Sequence, residues 1–237
     1  DYGPCAFMDN YNKNTVFSSI DENGRYSFMN QKYALEWNLA RFWEALIPLL
    51  WDDNNIWVKI IEKNLENFRD QFDTKYFKMM NNKIWIFEEN FFDNQLVIEI
   101  LEYLEKNNID YTDFFRNLWD SILKENINNI KKNIWNMSED NISEFNKLLE
   151  TLENILKIQD ISFLEISKMM QKINPQIIPR NYKVEIAIYE AEKNNDFSFM
   201  EKIIEITQNP YTTSNDKKEY MKAPEFIDKN YRTFCGT

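Results

Sequence analysis

The sequence predicts a mainly α-helical protein, and three observations predict it. Only three glycines occur in 237 residues, which leaves little for the tight hairpins and phosphate-cradling loops that consume this residue. Apolar side chains recur at steps of three and four over long stretches, the spacing of one face of a helix. Hydrophobic residues make up 43% of the chain, with 18 Phe, 12 Tyr and 7 Trp to fill a core. A chain of this length buries roughly 70% of the surface that its unfolded form exposes.

Residues 1–31 hold Gly3, Pro4 and Gly24 and carry no sustained period, so this stretch reads as irregular, with a turn at Asp21-Glu22-Asn23-Gly24. Asn30 and Gln31 read as local caps before the first helix. That helix runs from about Gln31 to Leu50 with Leu35, Leu39, Phe42, Leu46 and Leu49 on its inward face, and Pro48 ends or kinks it. A second spans about Asn54 to Met80. Trp57, Ile61, Leu65, Phe68, Phe72, Tyr76 and Met79 form its stripe, and Glu62, Lys63, Glu66, Arg69, Asp70 and Lys75 its solvated face. A third covers Asn94–Lys106 with Leu96, Ile100, Tyr103 and Leu104 inward. A fourth covers Thr112–Lys124 with Thr112 as N-cap. Ser138 or Ser143 opens a fifth that ends near Ile158. Ser162-x-x-Glu165 and Ser198-x-x-Glu201 both match the capping box, with a helix near Asn181–Lys193 between them. Asn209-Pro210-Tyr211 stops the last helix. We expect one helical unit over residues 1–237: irregular to 31, helices over 32–211, and an extended tail over 212–237.

Charge and residue usage exclude whole classes of function. The net charge is −11, and no basic face is visible, so nucleic acid and anionic membrane surfaces are not expected partners. No apolar run approaches the ~20 residues that span a bilayer, so no membrane insertion is expected. The chain has no histidine, which removes Ser-His-Asp and Cys-His catalysis and nearly all the usual zinc sites. Its two cysteines, Cys5 and Cys235, are too few for a thiolate zinc or iron–sulfur site. A disulfide between them is compatible with the sequence but not shown by it. No methionine opens the chain, and we expect it to be part of a longer protein.

Asp1-Tyr2-Gly3 has the chemical logic of the kinase Asp-Phe-Gly motif. A carboxylate holds Mg²⁺ against nucleotide phosphates, and the glycine permits the backbone turn behind it. Taken alone the triplet reads as a surface turn; the residues downstream change that reading. Asp1-Tyr-Gly-Pro-Cys-Ala-Phe-Met-Asp9 is succeeded by Gly24-Arg25-Tyr26-Ser27-Phe28-Met29-Asn30-Gln31, then Trp37-Asn38-Leu39-Ala40-Arg41 and Glu44-Ala45-Leu46-Ile47-Pro48-Leu49. Further on come Asp110-Tyr111-Thr112-Asp113-Phe114-Phe115-Arg116, Asn174-Pro175-Gln176, Arg180-Asn181-Tyr182 and Asn209-Pro210-Tyr211, and Cys235 stands three positions from the end. In this order and spacing the chain resembles the selenoprotein O family of kinase-like protein adenylyltransferases over its whole length, least around 120–160.

The resemblance implies the helical C-lobe of a protein-kinase-like domain plus a C-terminal helical extension, with the N-lobe absent. It implies an enzyme that uses ATP and Mg²⁺ to transfer AMP to Ser, Thr or Tyr hydroxyls of protein substrates. Asp1 stands at the family's metal- and nucleotide-binding position, and it is the one active-site residue carried over. The glycine-rich region, the phosphate-binding Lys with its Glu partner, and the catalytic Asp-Asn pair lie upstream in the family, so we expect this chain alone to be inactive. The family also links its terminal selenocysteine or cysteine to redox control through a disulfide to the activation segment. Here the usual partner position holds Phe17, which leaves Cys5 as the candidate partner of Cys235. Bacterial members are cytoplasmic and eukaryotic ones mitochondrial; the cytoplasm is our expectation, as is a monomer. Arg25 and Arg41 are expected in internal ion pairs, and Trp37 and Trp43 as packing aromatics. The competing reading is a helical interaction or scaffold protein that kept the C-lobe and lost catalysis. An ordinary Ser/Thr kinase is disfavoured, because the landmarks that follow Asp1 do not resemble the Ala-Pro-Glu segment of those enzymes.

Overall fold

A computed structural model describes residues 7–50, 54–123, 139–159, 161–212 and 218–224. These are mainly α-helical; the only strand-like pairing among them is a single antiparallel bridge between Asn10 and Asp110. No described helix is long and apolar enough to cross a membrane. The contacts divide the chain into two units. One is built on Lys13–Met79, the other on Ala6–Asn12 and Met80–Tyr231. Each is taken by itself.

In the first unit the predicted turn is present. Gly24 takes φ +65°, its amide donates to the Asp21 carbonyl, and the Asp21 carboxylate accepts from the amides of Arg25 and Tyr26 at 2.9 and 2.8 Å. Asn30 does not cap with its side chain; that amide donates to the Gly24 carbonyl and closes the turn instead. Helix α1 covers Gln31–Leu46, and a 3-10 turn over Ile47–Leu49 follows where Pro48 enters. Helix α2 starts at Asn54 and runs to Lys83, through the end of this unit.

Lys32 pairs with Asp73 at 2.7 Å and Glu36 with Arg69 at 2.5 Å. As the α1 number rises the α2 number falls, so the two helices run antiparallel. The charged face of α2 is exposed as the sequence predicts. The α1 stripe is not the buried face expected. Only Ala34 is buried, Leu35, Leu39 and Leu46 are half-buried, and Phe42 and Leu49 are exposed by 57% and 68%. Periodicity marks which residues share a face, and it carries no information on whether anything covers that face. Trp37 also departs from a packing role. It is half-exposed and serves as a platform, with the Arg25 guanidinium 4.3 Å and that of Arg41 5.3 Å from its ring centre. Arg41 pairs with Glu44 as expected of an internal ion pair.

The second unit holds most of the deeply buried apolar side chains. Helix α3 spans Asn94–Asn107, α4 Tyr111–Leu123, α5 Glu139–Ile158, α6 Phe163–Ile173, α7 Asn181–Asn194, α8 Ser198–Thr207, and Lys218–Met221 forms a short α9 within the stretch expected as extended. Helix α3 packs on α5, α4 on α6 and α7 on α8. Leu96, Ile100, Tyr103 and Leu104 point inward as predicted, and the Tyr103 ring stacks on Phe145 at 5.3 Å.

Helix ends carry the instructive differences. The box at Ser162 and Glu165 forms in full. The one at Ser198 does not; Ser198 is already helical and its amide is capped by the Asp196 carboxylate at 2.9 Å. Thr112 likewise sits inside α4, and Asp110 is the cap, accepting from the Asp113 amide at 2.7 Å. Ser143 lies within α5, and Ser138 lies outside the described residues. With so few glycines available, asparagine ends α3 and α7. Asn108 and Asn195 both adopt φ +52°, a left-handed conformation that Asn tolerates better than most residues.

Candidate functional site

Asp1, Cys5 and Cys235 lie outside the described residues. Landmarks scattered along the sequence nevertheless meet in the second unit. The chain leaves α3 through Asn108 in its left-handed turn, buries Ile109, and reaches Asp110, which caps α4. Arg180 immediately precedes the first residue of α7. Its side chain is only 1% exposed, and three carboxylates converge on it.

The guanidinium is nearly saturated. Nη1 donates to Asp110 Oδ2 at 2.6 Å and to Asp9 Oδ1 at 2.7 Å. Nη2 donates to Asp113 Oδ1 at 3.2 Å, Asp110 Oδ1 at 3.3 Å and the Met221 carbonyl at 3.2 Å. The Asp110 pair is therefore bidentate, a fork geometry that arginine supplies and lysine does not. Three carboxylates against one cation leave the cluster with two negative charges in excess. Burial opposes the charge on Arg180, but Asp110, Asp113 and Asp9 outweigh it and hold its proton more tightly than usual. Burial, then repulsion from Asp110, pushes the Asp113 carboxyl up to about 6 against the pull of Arg180. Burial also raises Asp9 above the ordinary carboxylate range, with the Arg180 bond opposing the rise.

The segment around Asp9 is fixed by more than its carboxylate. The Tyr111 amide donates to the Asp9 carbonyl at 2.8 Å, and the Tyr11 amide to the Ile109 carbonyl at 3.0 Å. These bonds flank the Asn10–Asp110 bridge. Asn181 Nδ2 donates to the Phe7 carbonyl at 2.8 Å, and the buried Tyr11 ring stacks on Tyr111 at 5.8 Å.

A second buried cation, Lys83, has no carboxylate partner in its described bonds. The last residue of α2, it donates to Asn174 Oδ1 at 2.7 Å, and Asn174 Nδ2 returns a bond to the Lys83 carbonyl at 3.0 Å. The ammonium lies 4.4 Å from the centre of the Phe115 ring and 5.4 Å from that of Tyr111. Ring faces are a weak substitute for an anion, and burial lowers this lysine to about 8. Gln176 and Ile177 close the arrangement by donating their amides to the Pro210 carbonyl at 2.7 and 3.3 Å.

No described group of three or more His, Cys, Asp or Glu could hold a metal ion. The three carboxylates that do converge enclose a guanidinium, so they do not fit Mg²⁺. In the sequence Asp9, Asp110, Asp113, Asn174, Gln176, Arg180 and Pro210 stand out only as landmarks, and Lys83 does not stand out at all. The legible signal was that charged and amide residues recur inside segments otherwise full of Tyr, Phe and Ile, where burial demands partners.

Comparison with known proteins agrees with the resemblance. A family model described as "Protein adenylyltransferase SelO" matches residues 1–208. Curated relatives named "Protein nucleotidyltransferase YdiU", from Bacillus thuringiensis subsp. konkukian, Bacillus cereus and Bacillus mycoides, are each 40% identical over 237 residues. The match covers 100% of this chain and 46% of each relative, so the chain spans about half the length of the curated relatives it matches. Asp9, Asp110, Asp113, Asn174, Gln176 and Arg180 fall within the matched region, and the chain belongs to the SelO family of protein adenylyltransferases.

Proposed function

We propose that this chain is the C-terminal portion of a protein adenylyltransferase that moves AMP from ATP onto Ser, Thr or Tyr hydroxyls of proteins. The observation that carries the reading is the family match, which begins at Asp1 and so includes Asp1-Tyr2-Gly3. In the reaction the acceptor oxygen bonds the α-phosphorus of ATP, its proton is lost, and pyrophosphate leaves. Asp1 is the residue of this chain that would contact Mg²⁺ and nucleotide, and Cys5 with Cys235 the pair open to redox control. The rest of the catalytic set belongs to sequence upstream in the family. The described helices then correspond to the C-lobe of a kinase-like domain and its helical extension.

The test compares the full-length protein with this chain, using ATP labelled at the α- or the γ-phosphate and a generic protein acceptor. Full-length protein is expected to transfer the α label and not the γ label, and this chain neither. Transfer of the γ label would replace the reading with a phosphotransferase. Self-labelling by this chain alone would overturn its inactivity.

A further inference from the structure

We propose that Arg180 is a positioning residue for the nucleotide site, acting through Asp9 on the segment that follows Asp1-Tyr2-Gly3 in sequence. The inference rests on the proposed assignment of Asp1 to that site. The segment at 7–11 pairs through one isolated bridge rather than a strand, so few bonds set its register. Four points are tied: Phe7 by Asn181, Asp9 by Arg180 and the Tyr111 amide, Asn10 by the bridge, and Tyr11 by Ile109. Arg180-Asn181, at the start of α7, supplies the ties to Phe7 and to the Asp9 carboxylate. The others come from 109–111, which Arg180 also grips through Asp110. Arg180 is thus the common partner of both strips of backbone. Its Nη1 is shared between Asp9 and Asp110, so the guanidinium itself spaces one strip from the other.

The chemistry is specific for arginine. A lysine presents one point charge and cannot bridge Asp9 while holding Asp110 at two oxygens. Burying an ion pair of this kind is a poor way to gain stability, and its best-attested use is to fix one arrangement among alternatives. Here the arrangement fixed is the register of residues 7–11 against 109–111.

The experiment uses the full-length protein with Asp9→Ala, Asp9→Asn, Arg180→Lys and, as a core-destabilised reference, Leu152→Ala in α5. Two quantities are read: hydrogen exchange at the Tyr11 amide, and kcat/KM for ATP in transfer of the α label. Asp9→Ala is expected to speed Tyr11 exchange at least tenfold and lower kcat/KM at least tenfold. Asp9→Asn, which still accepts from Nη1, is expected to recover both to within about threefold. Arg180→Lys should resemble Asp9→Ala. Leu152→Ala should lower Tm by more than Asp9→Ala while leaving kcat/KM within about twofold, which a merely structural role for Asp9 would not separate. Unchanged Tyr11 exchange in Asp9→Ala overturns the tether. Faster exchange with unchanged kcat/KM overturns the positioning role and leaves the functional reading intact. A wild type that protects Tyr11 but transfers no AMP overturns the functional reading, and the positioning role with it.

Discussion

The two units are built from the same kind of periodic sequence and treat it differently. In the first, α1 repeats leucines and aromatics at helical spacing, yet one residue of that helix is buried and its ion pairs with α2 sit at the surface. In the second, α3 uses the same spacing to bury six side chains, and a guanidinium is enclosed with three carboxylates. Surface pairs gain little, because water competes for both partners. A buried pair is different in kind: the two partners depend on each other, and removing one leaves the other stranded. Landmark residues in the first unit therefore hold their place through contacts that are cheap to lose, and those in the second through contacts that are not.

The largest effect that tests this contrast is a pair of arginine deletions. Arg180→Ala leaves Asp9, Asp110 and Asp113 facing one another without a cation. A loss of about 3–5 kcal/mol is expected, the range for breaking a buried pair. Arg69→Ala removes a cation of the same chemistry from an exposed pair with Glu36, and a far smaller loss is expected, because water already competes for both partners. Urea denaturation of the two variants against wild type checks both. Equal losses would mean that the cluster around Arg180 is better solvated than its burial suggests.

How much of this was legible beforehand depends on what each residue type can signal alone. The helices were legible, because spacing is a local property: α3 and α7 fall within one residue of expectation, and α2 overshoots by three. The caps were legible only where the cap has a dedicated pattern. Ser162 with Glu165 formed, but Ser198 and Thr112 were displaced by the aspartates at 196 and 110. A carboxylate nearby competes for the same orphan amides. The site was not legible as a site, because Arg180 meets its three carboxylates across 67 to 171 residues of sequence. Sequence order placed Asp9, Asp110 and Arg180 among the landmarks, and only the fold places them together.

A pH experiment sharpens the contrast at Lys83, where the buried charge has amide and ring partners in place of an anion. Folded Lys83 loses its proton near pH 8, whereas in the unfolded chain it does so near its ordinary value of 10.5. Between those values the unfolded state binds more protons, so this lysine makes stability rise with pH. The charged form is the one that burial penalises, and the penalty fades as the proton leaves. Lys83→Met keeps the length of the side chain and removes the titration. From pH 8 to pH 10 the wild type is expected to gain about 2 kcal/mol relative to the variant. Paired denaturation curves at the two pH values measure it, and a constant difference would show that the ammonium is solvated.

The smallest effect lies at Arg25 and Trp37, where the first unit uses its landmark residues openly. The guanidinium lies 4.3 Å from the indole centre at an exposed site. Such contacts contribute roughly 0.5–1 kcal/mol. A double-mutant cycle over Arg25→Ala and Trp37→Leu isolates the pair from the Arg41 contact with the same ring. A coupling in that range means that the segment after the Asp21 turn is pinned to α1 by this stack. A coupling near zero means that the Asp21 carboxylate, which already holds the amides of Arg25 and Tyr26, pins it without help. In either case the cost is several times smaller than at Arg180. Burial, which separates the two arginines, sets that ratio: both are landmarks in the sequence, and only one is sealed among partners that cannot turn to water.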